Sequence, residues 1–282
     1  MITGALLINK EKGKTSRQEV NTVSRALQEK KMGHIGTLDP FADGLLIVLA
    51  GRATKIAPFI EQLDKTYLAK LKLGKKTDTG DKDGEIIEEK NVPALKYSKI
   101  DEILQQFLGK SLQTPPKYSA LKVNGERAYA LARKNIDFEL KKREIEIFEI
   151  SLVNYNEKDE ITFICRVSKG TYVRTLAEDI AEKLGTVGHL IELTRVKIGK
   201  YSIENSVKAV DAKPENLVSV DEMLKDFPAT FVKGEEAKKA KNGVPICIKQ
   251  NNKLVVVKDE EGPIAMYELA SGSVYHCLRG LR

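Results

Sequence analysis

The sequence predicts an α+β fold, in which a mixed, largely antiparallel sheet is flanked by helices and a small β-rich module follows at the C-terminal end. Alternating apolar and polar residues recur in several long segments, which is typical of strands with one buried face. Other segments between them repeat apolar residues at helical intervals. Hydrophobic residues make up 41% of the 282 residues, enough to build a sizeable core.

The chain begins with a predicted strand within residues 1–14. The next segment, 16–31, predicts a helix, because Ser16 and Glu19 have the spacing of a capping box and apolar residues then follow at helical intervals. The run LLIVLAG at 45–51 predicts a short buried strand that ends at a glycine.

The following elements continue this alternation of helix and strand. Residues 52–63 predict a helix that Pro58 would kink or end. Residues 65–74 alternate as a strand does, with Tyr67 on the same face as the apolar residues. Residues 98–110 carry an apolar stripe at helical spacing. Residues 143–155 and 160–170 predict two consecutive strands on either side of a turn. Residues 171–185 predict a helix.

A change in composition near residues 205–231 predicts a domain boundary, with a larger domain over 1–231 and a small module over 232–282. The module has one basic, helix-like segment followed by short strands. A core of about 50 residues is marginal alone. We therefore expect the module to pack on the larger domain.

The charge balance makes a polyanion, such as a nucleic acid, a candidate partner. The formal net charge is +7, and residues 117–143 hold eight Lys or Arg residues against three Asp or Glu residues. Aromatic residues such as Tyr118 and Tyr129 lie within this basic segment. Basic residues among aromatic ones suit phosphate contact and base stacking. A solvated helix face remains the alternative for this segment.

Several classes of protein are disfavoured by the sequence. No apolar run is long enough for a transmembrane helix, and the charged N-terminus does not resemble a signal peptide. The cysteines Cys165, Cys247 and Cys277 lie far apart, which predicts reduced thiols in a cytoplasmic protein rather than a metal site. The GKTS at 13–16 is not a phosphate-binding loop, because Ile8 stands where that motif needs glycine.

The glycine-rich segment GHIGTLDPFADG, 33–44, places Asp39 directly before Pro40. Taken alone, Asp39 could cap a turn. The segment nevertheless resembles the catalytic-aspartate motif of the TruB family of tRNA pseudouridine synthases. Four more segments follow in the family's order: KTYLAKLKLGKKTDTGDKDGEI, PPKYSALKVNGERAYALARK, SKGTYVRTLAEDI and GHLIELTRVKIGKYS. Together these segments cover most of residues 1–205.

The resemblance implies a role for each residue that falls on a family motif. Asp39 matches the catalytic nucleophile, Tyr67 the aromatic residue that stacks on the target base, and Arg174 the arginine that pairs with the catalytic carboxylate. Four residues match other parts of the site: Asp81 in the charge network around the arginine, His34 in the place left by the extruded base, Tyr172 against the flipped nucleotide, and Leu193 beside the base pocket.

Residues 117–143 resemble the family's insertion, or thumb, that closes over the T arm of tRNA. Within it, Lys141, Lys142 and Arg143 are the predicted phosphate contacts. The last module, 232–282, loosely resembles an RNA-binding PUA-like module. Each assignment also has a structural interpretation, since Tyr67 and Leu193 could serve only as core residues.

The resemblance implies the activity and its requirements. The fold would be of the pseudouridine synthase type, and the enzyme would isomerise uridine to pseudouridine at position 55 in the T arm of tRNA after flipping the base. It would need no cofactor, no metal, no membrane and no obligatory protein partner, and we expect a monomer. A tRNA-folding chaperone and a guide-RNA-dependent relative remain the alternatives.

Departures from the family pattern concern the loops rather than the reaction. Glu11 stands where proline is usual, and Ile35 and Asp43 stand where threonine is usual. We expect Asp43 to cap the turn at Gly44 or to pair with a basic residue outside the pocket. An Asp43 carboxylate that pointed inward would raise the pKa of Asp39.

Overall fold

The computed structural model describes residues 2–123, 125–134 and 136–282. The helices are α1 (Ser16–Leu27), α2 (Ala57–Ile60), α3 (Tyr97–Gln105), α4 (Ala128–Arg133), α5 (Val173–Lys183), α6 (Val220–Met223) and α7 (Gly234–Lys241). Short 3₁₀ turns occupy Gly51–Ile56, Ile203–Asn205, Ala209–Asp211 and Pro214–Asn216.

The strands are β1 (Gly4–Lys10), β2 (Met32–Ile35), β3 (Asp43–Ala50), β4 (Lys65–Leu73), β5 (Lys75–Thr77), β6 (Ile86–Glu89), β7 (Gly109–Gln113), β8 (Lys122–Val123), β9 (Glu126–Arg127), β10 (Arg143–Tyr155), β11 (Glu160–Val167), β12 (Gly188–Ile198), β13 (Tyr201–Ser202), β14 (Ala229–Phe231), β15 (Ile246–Cys247), β16 (Leu254–Asp259), β17 (Gly262–Ser271) and β18 (Val274–Gly280).

The described residues form a nine-stranded sheet in the order β1-β3-β12-β4-β11-β10-β7, with β2 paired to β3 and β13 to β12. Its described strand pairs are antiparallel, apart from a short parallel contact of β3 with β12. This short contact joins a smaller antiparallel part of the sheet, made of β1, β2 and β3, to a larger antiparallel part that begins at β12. The predicted mixed, largely antiparallel sheet is confirmed.

Helices α3 and α5 cover one face of the β4–β11–β10 part of the sheet. Their buried residues share a core cluster with the inward residues of these strands, including Ala69 and Leu71 of β4. Leu38 and Phe41, on either side of Asp39, belong to the same cluster. The chain around Asp39 is therefore anchored in the main core, although Asp39 itself is partly exposed.

The C-terminal module is a five-stranded sheet, in the order β14-β16-β17-β18-β15, that packs with α7. Val256 and Met266 of this sheet share a second core cluster with Leu45 and Ile47 of β3. The expected packing of the module on the larger domain is thus observed. The division into 1–231 and 232–282 stays a prediction, and the module's sheet already includes β14.

The predicted elements agree with the structure in type, with local corrections. The predicted capping box is wrong by one residue, because Thr15 is the N-cap of α1 and Gln18 completes the box. The helix predicted over 52–63 is instead a 3₁₀ turn followed by the single-turn α2, in which Pro58 lies at the start. The helix predicted over 98–110 ends earlier, since β7 begins at Gly109.

No helix in the described part of the chain has both the length and the apolar character needed to cross a membrane.

Candidate active site

The loop that carries Asp39 lies between β2 and β3, at the point where the two antiparallel parts of the sheet meet. The short parallel contact with β12 pairs Asp43 with Thr194 and Gly44 with Arg195. Gly44 has φ +103°, and a Cβ atom there would collide with the backbone of Arg195. Only glycine fits this close approach, which explains one of the three glycines of the loop.

Lys10, at the end of β1, holds the chain that follows Asp39. Its side chain is fully buried, and its Nζ donates hydrogen bonds to the carbonyls of Ala42 at 2.6 Å and Pro40 at 3.3 Å. Burial lowers the pKa of Lys10 to about 8, against the opposing effect of nearby carboxylates. A buried ammonium is retained here because backbone carbonyls accept hydrogen bonds from it.

The start of α1 holds the residue before Asp39. The Ser16 hydroxyl donates to the carbonyl of Leu38 at 3.2 Å and accepts from its N–H at 2.9 Å. The N–H of Gly13 donates to the Pro40 carbonyl at 2.8 Å. Asp39 is thus fixed through the backbone on both sides.

Arg174, in the first turn of α5, meets the carboxylates of Asp39 and Asp81. Its Nε lies 2.9 Å from Asp39 Oδ2, a close ion pair without hydrogen-bond alignment, and its Nη2 donates to Oδ1 at 3.2 Å. Its Nη1 lies 3.4 Å from Asp81 Oδ2. The side chain of Arg174 is 4% exposed and that of Asp39 is 36% exposed, so the carboxylate faces the solvent while the guanidinium lies behind it.

The guanidinium of Arg174 is also fixed by two backbone carbonyls. Nη1 donates to Thr79 at 2.7 Å, and Nη2 donates to Tyr118 at 2.8 Å. The first carbonyl belongs to the loop that carries Asp81, and the second lies at the start of the 117–143 segment. Arg174 therefore connects the loop that carries Asp39, the Asp81 loop and the base of the predicted thumb.

Asp81 is buried, and its surroundings affect its pKa in opposite directions. Burial raises its pKa, while the Thr79 hydroxyl and the Arg174 guanidinium oppose that rise. The Thr79 hydroxyl donates to Asp81 Oδ1 at 2.8 Å. Asp81 thus places a second carboxyl group against Arg174.

The two residues predicted to form the apolar side of the site lie on adjacent strands. Leu193 of β12 is the pairing partner of Ala69 on β4, two residues beyond Tyr67. Leu193 is buried in the main core, whereas Tyr67 is partly buried and packs against that core. Its place on the apolar face of β4 agrees with the predicted alternation.

Tyr172 is held at the N-terminus of α5 by a buried amide. Gln113, at the end of β7, accepts from the Tyr172 N–H at 2.8 Å and donates to the Tyr172 carbonyl at 3.1 Å. The pairing partner of Gln113 is Arg143, the first residue of β10. The predicted thumb therefore leaves and re-enters the sheet beside Tyr172, and its residues 124 and 135 lie outside the described residues.

The remaining predicted residues lie on or directly before strands β2, β3 and β10. His34, on β2, has Nε2 at 3.1 Å from the Thr37 hydroxyl, and burial, followed by the charge of Arg195, lowers its pKa. Lys141 and Lys142 are exposed just before β10. Asp43 accepts from the Thr194 hydroxyl and lies 3.8 Å from Lys12 Nζ, so the expected pairing with a basic residue is observed.

Three supporting residues were missed by reasoning from the sequence: Lys10, Gln113 and Arg195. Arg195 is 1% exposed and donates from Nε to the Leu45 carbonyl and from Nη2 to the Gly36 carbonyl, both at 2.8 Å. Lys10 is the last residue of β1 and Arg195 lies beside polar residues in β12, so neither stood out in the sequence as a buried charge. The partners are backbone carbonyls distant in sequence, and no side-chain motif indicates them.

No group of His, Cys, Asp and Glu side chains suited to hold a metal occurs among the residues that the structure describes.

Comparison with known proteins places this site in a family. Residues 24–173 match the model of the TruB family pseudouridylate synthase N-terminal domain, and residues 174–225 match that of the tRNA pseudouridylate synthase B C-terminal domain. The tRNA pseudouridine synthase B of Clostridium kluyveri is 42% identical over 247 residues, which are 86% of this chain and 85% of the relative. That of Aquifex aeolicus is 41% identical over 271 residues, 94% and 92% of the two chains.

The fold agrees with these matches. The solved structure of a Cbf5-Nop10-Gar1 complex contains a chain with a TM-score of 0.75 and 19% identity, over 99% of this chain and 85% of that one. The family models define the class as pseudouridylate synthases, which are isomerases. The chain belongs to the TruB family of pseudouridylate synthases.

Proposed function

We propose that this chain isomerises uridine to pseudouridine at position 55 in the T arm of tRNA, with Asp39 as the catalytic carboxylate. The relatives named tRNA pseudouridine synthase B support tRNA as the substrate. The observation that carries the proposed mechanism is the partly exposed carboxylate of Asp39 against the buried guanidinium of Arg174. The ion pair and the hydrogen bond that Nη2 donates hold this carboxylate in one orientation on the solvent-facing side of Arg174.

The reaction detaches uracil from the ribose at N1 and reattaches it through C5. The Asp39 carboxylate could attack the sugar, attack C6 of the base, or remove the 2′ hydrogen to give a glycal. In all three routes it must lie close to one nucleotide. An error of about 1 Å can cost about 100-fold in rate, which gives the backbone anchoring of the loop a catalytic purpose.

The target base lies inside a folded arm, so it must be flipped out at a cost of a few kcal/mol. Tyr67 would stack on the flipped uracil, Leu193 would border it, and Tyr172 would contact the nucleotide. His34, with its lowered pKa, would enter the place left by the base as a neutral ring. These roles are supported by the family motifs on which the four residues fall.

The proposal includes the setting of the enzyme. Residues 117–143 would close over the T arm, and the PUA-like module, 232–282, would add RNA contacts. We propose a cytoplasmic monomer that needs no cofactor, metal or protein partner. Release of tritium from C5-labelled uridine in a T-arm transcript tests the activity, since C5 exchanges its hydrogen for the ribose bond. A tRNA-folding chaperone without catalysis would release none.

A substitution pair separates the roles of Tyr67. If the ring stacks on uracil, Tyr67→Phe keeps measurable activity, whereas Tyr67→Ala loses ~1–3 kcal/mol of stacking, or about tenfold to a hundredfold in rate. The single-turnover rate on a T-arm transcript and the melting temperature are measured for both variants. A folded Phe variant as inactive as the Ala variant would assign the role to the hydroxyl. Two variants that lose only stability would leave Tyr67 as a core residue.

Neutralising Lys141, Lys142 and Arg143 to Gln tests the thumb. If these residues contact phosphates, the variant binds tRNA more weakly. The slope of log Kd against the logarithm of the salt concentration then falls by about 0.9 for each phosphate contact that is lost on a duplex. The control replaces three exposed lysines outside the segment: Lys96, Lys99 and Lys225. An unchanged salt slope in the thumb variant would reassign this basic run to a solvated surface.

A further inference from the structure

Glu19 is a buried carboxylate in the first turn of α1 that the proposed chemistry does not use. It is 1% exposed. Its Oε1 accepts from the backbone N–H of Glu11 at 3.1 Å, and its Oε2 has no hydrogen-bond partner within the described ranges. A buried charged group with an unsatisfied oxygen is costly, so its presence calls for an explanation.

The explanation lies in the segment 10–14, which passes over this carboxylate. The charge of Glu19 acts on two basic side chains of this segment. It opposes the burial that lowers the pKa of Lys10, and it adds to the effect of the hydrogen bond that Lys14 donates to Glu11, which raises the pKa of Lys14. The N-terminus of α1 also favours a negative charge in its first turn. The carboxylate is thus set between the helix start and the segment above it.

The same segment also holds the nucleophile loop, which is the loop between β2 and β3 that carries Asp39. The Gly13 N–H and the Lys10 ammonium both donate to the Pro40 carbonyl, the next residue after Asp39. A continuous series of contacts therefore runs from Glu19 through the Glu11 N–H to the segment 10–14, and from there to Pro40.

We propose that Glu19 is a positioning residue for Asp39, which acts by accepting the Glu11 N–H and so fixing segment 10–14 against the nucleophile loop. The inference rests on the proposed function for its catalytic consequence. Its structural consequence, the immobility of segment 10–14, is independent of that function. The residue touches neither the substrate nor the reacting atoms.

Three variants test the proposal. Glu19→Val removes the acceptor, and Glu19→Gln keeps an oxygen that can accept the Glu11 N–H. Val23→Ala, one turn further along α1 and fully buried, is a matched control that destabilises the same helix without touching segment 10–14. For each variant we measure the melting temperature, tRNA affinity, the single-turnover rate, and amide hydrogen exchange at Gly13.

The expected results differ between the variants. Glu19→Val slows the single-turnover rate by about tenfold to a hundredfold, as expected for a misplaced carboxylate, with tRNA affinity unchanged. It also speeds exchange of the Gly13 amide more than its loss of stability accounts for. Glu19→Gln restores most of the rate and protection. Val23→Ala lowers the melting temperature without a matching loss of rate.

A Glu19→Val enzyme with the wild-type rate and wild-type Gly13 protection would overturn the proposal, as would a Gln variant as impaired as the Val variant. If Val23→Ala slows the reaction as much as Glu19→Val does, Glu19 serves stability alone. A wild-type protein without turnover would contradict the proposed function instead. The exchange at Gly13 would then still decide whether Glu19 fixes the segment.

Discussion

Asp39→Asn is expected to abolish turnover on a T-arm transcript. The amide is close in shape to the carboxylate and can occupy the same loop, but it carries no charge for Arg174 to hold and is a poor nucleophile. Because the substitution changes a single side chain and other residues are proposed to contact the RNA, affinity for tRNA should stay within about tenfold, or ~1.4 kcal/mol. Turnover is measured by tritium release and affinity by filter binding.

Asp43→Asn is the matched control for this substitution. Asp43 is the second carboxylate of the same loop, but it pairs with Lys12 and Thr194 rather than with Arg174. We expect this variant to keep its turnover. Substantial turnover by Asp39→Asn, or equal losses in both variants, would contradict the assignment of Asp39.

Arg174→Lys is expected to lower the single-turnover rate by about 100-fold or more. Lysine keeps the positive charge, but it lacks the planar fork that contacts Asp39 and the carbonyls of Thr79 and Tyr118 at once. The Asp39 carboxylate would then lose its fixed orientation, and misplacement by about 1 Å has a cost of this size. The rate is measured with saturating enzyme on a T-arm transcript.

The same variant is expected to lose stability, because Asp81 is buried and keeps a weaker partner. Breaking a buried ion pair outright costs about 3–5 kcal/mol, and lysine should retain part of this. The melting temperature shows whether the variant is folded at the assay temperature. Arg25→Lys, at an exposed position of α1, is the control. A folded Arg174→Lys enzyme with a nearly wild-type rate would show that charge alone is sufficient.

Periodicity in the sequence predicted most elements of the fold. The alternation in β4 placed Tyr67 on the apolar face, and the apolar stripe of α5 implied that its buried side packs on the sheet. Periodicity could not separate a 3₁₀ turn from an α-helix over Gly51–Ile56, since both patterns repeat every three to four residues. It also could not choose between adjacent polar residues as the cap of α1.

The centre of the site was predictable for a different reason. Asp39, Arg174 and Asp81 came from the resemblance to family motifs, and the geometry then brought them into contact. Lys10 and Gln113 were not predicted, because each binds backbone atoms that lie far away in the sequence. Such contacts depend on the path of the chain in three dimensions and leave no spacing pattern between side chains.

Mapping of pseudouridine in a full-length tRNA transcript tests the central claim most directly. The unmodified transcript is incubated with the wild-type protein or with Asp39→Asn, treated with a carbodiimide that marks pseudouridine, and read by reverse transcription. The account predicts a single new stop that reports position 55 in the T loop, present with the wild-type protein and absent with Asp39→Asn. No stop with the wild-type protein, a stop outside the T arm, or the same stop with Asp39→Asn would contradict it.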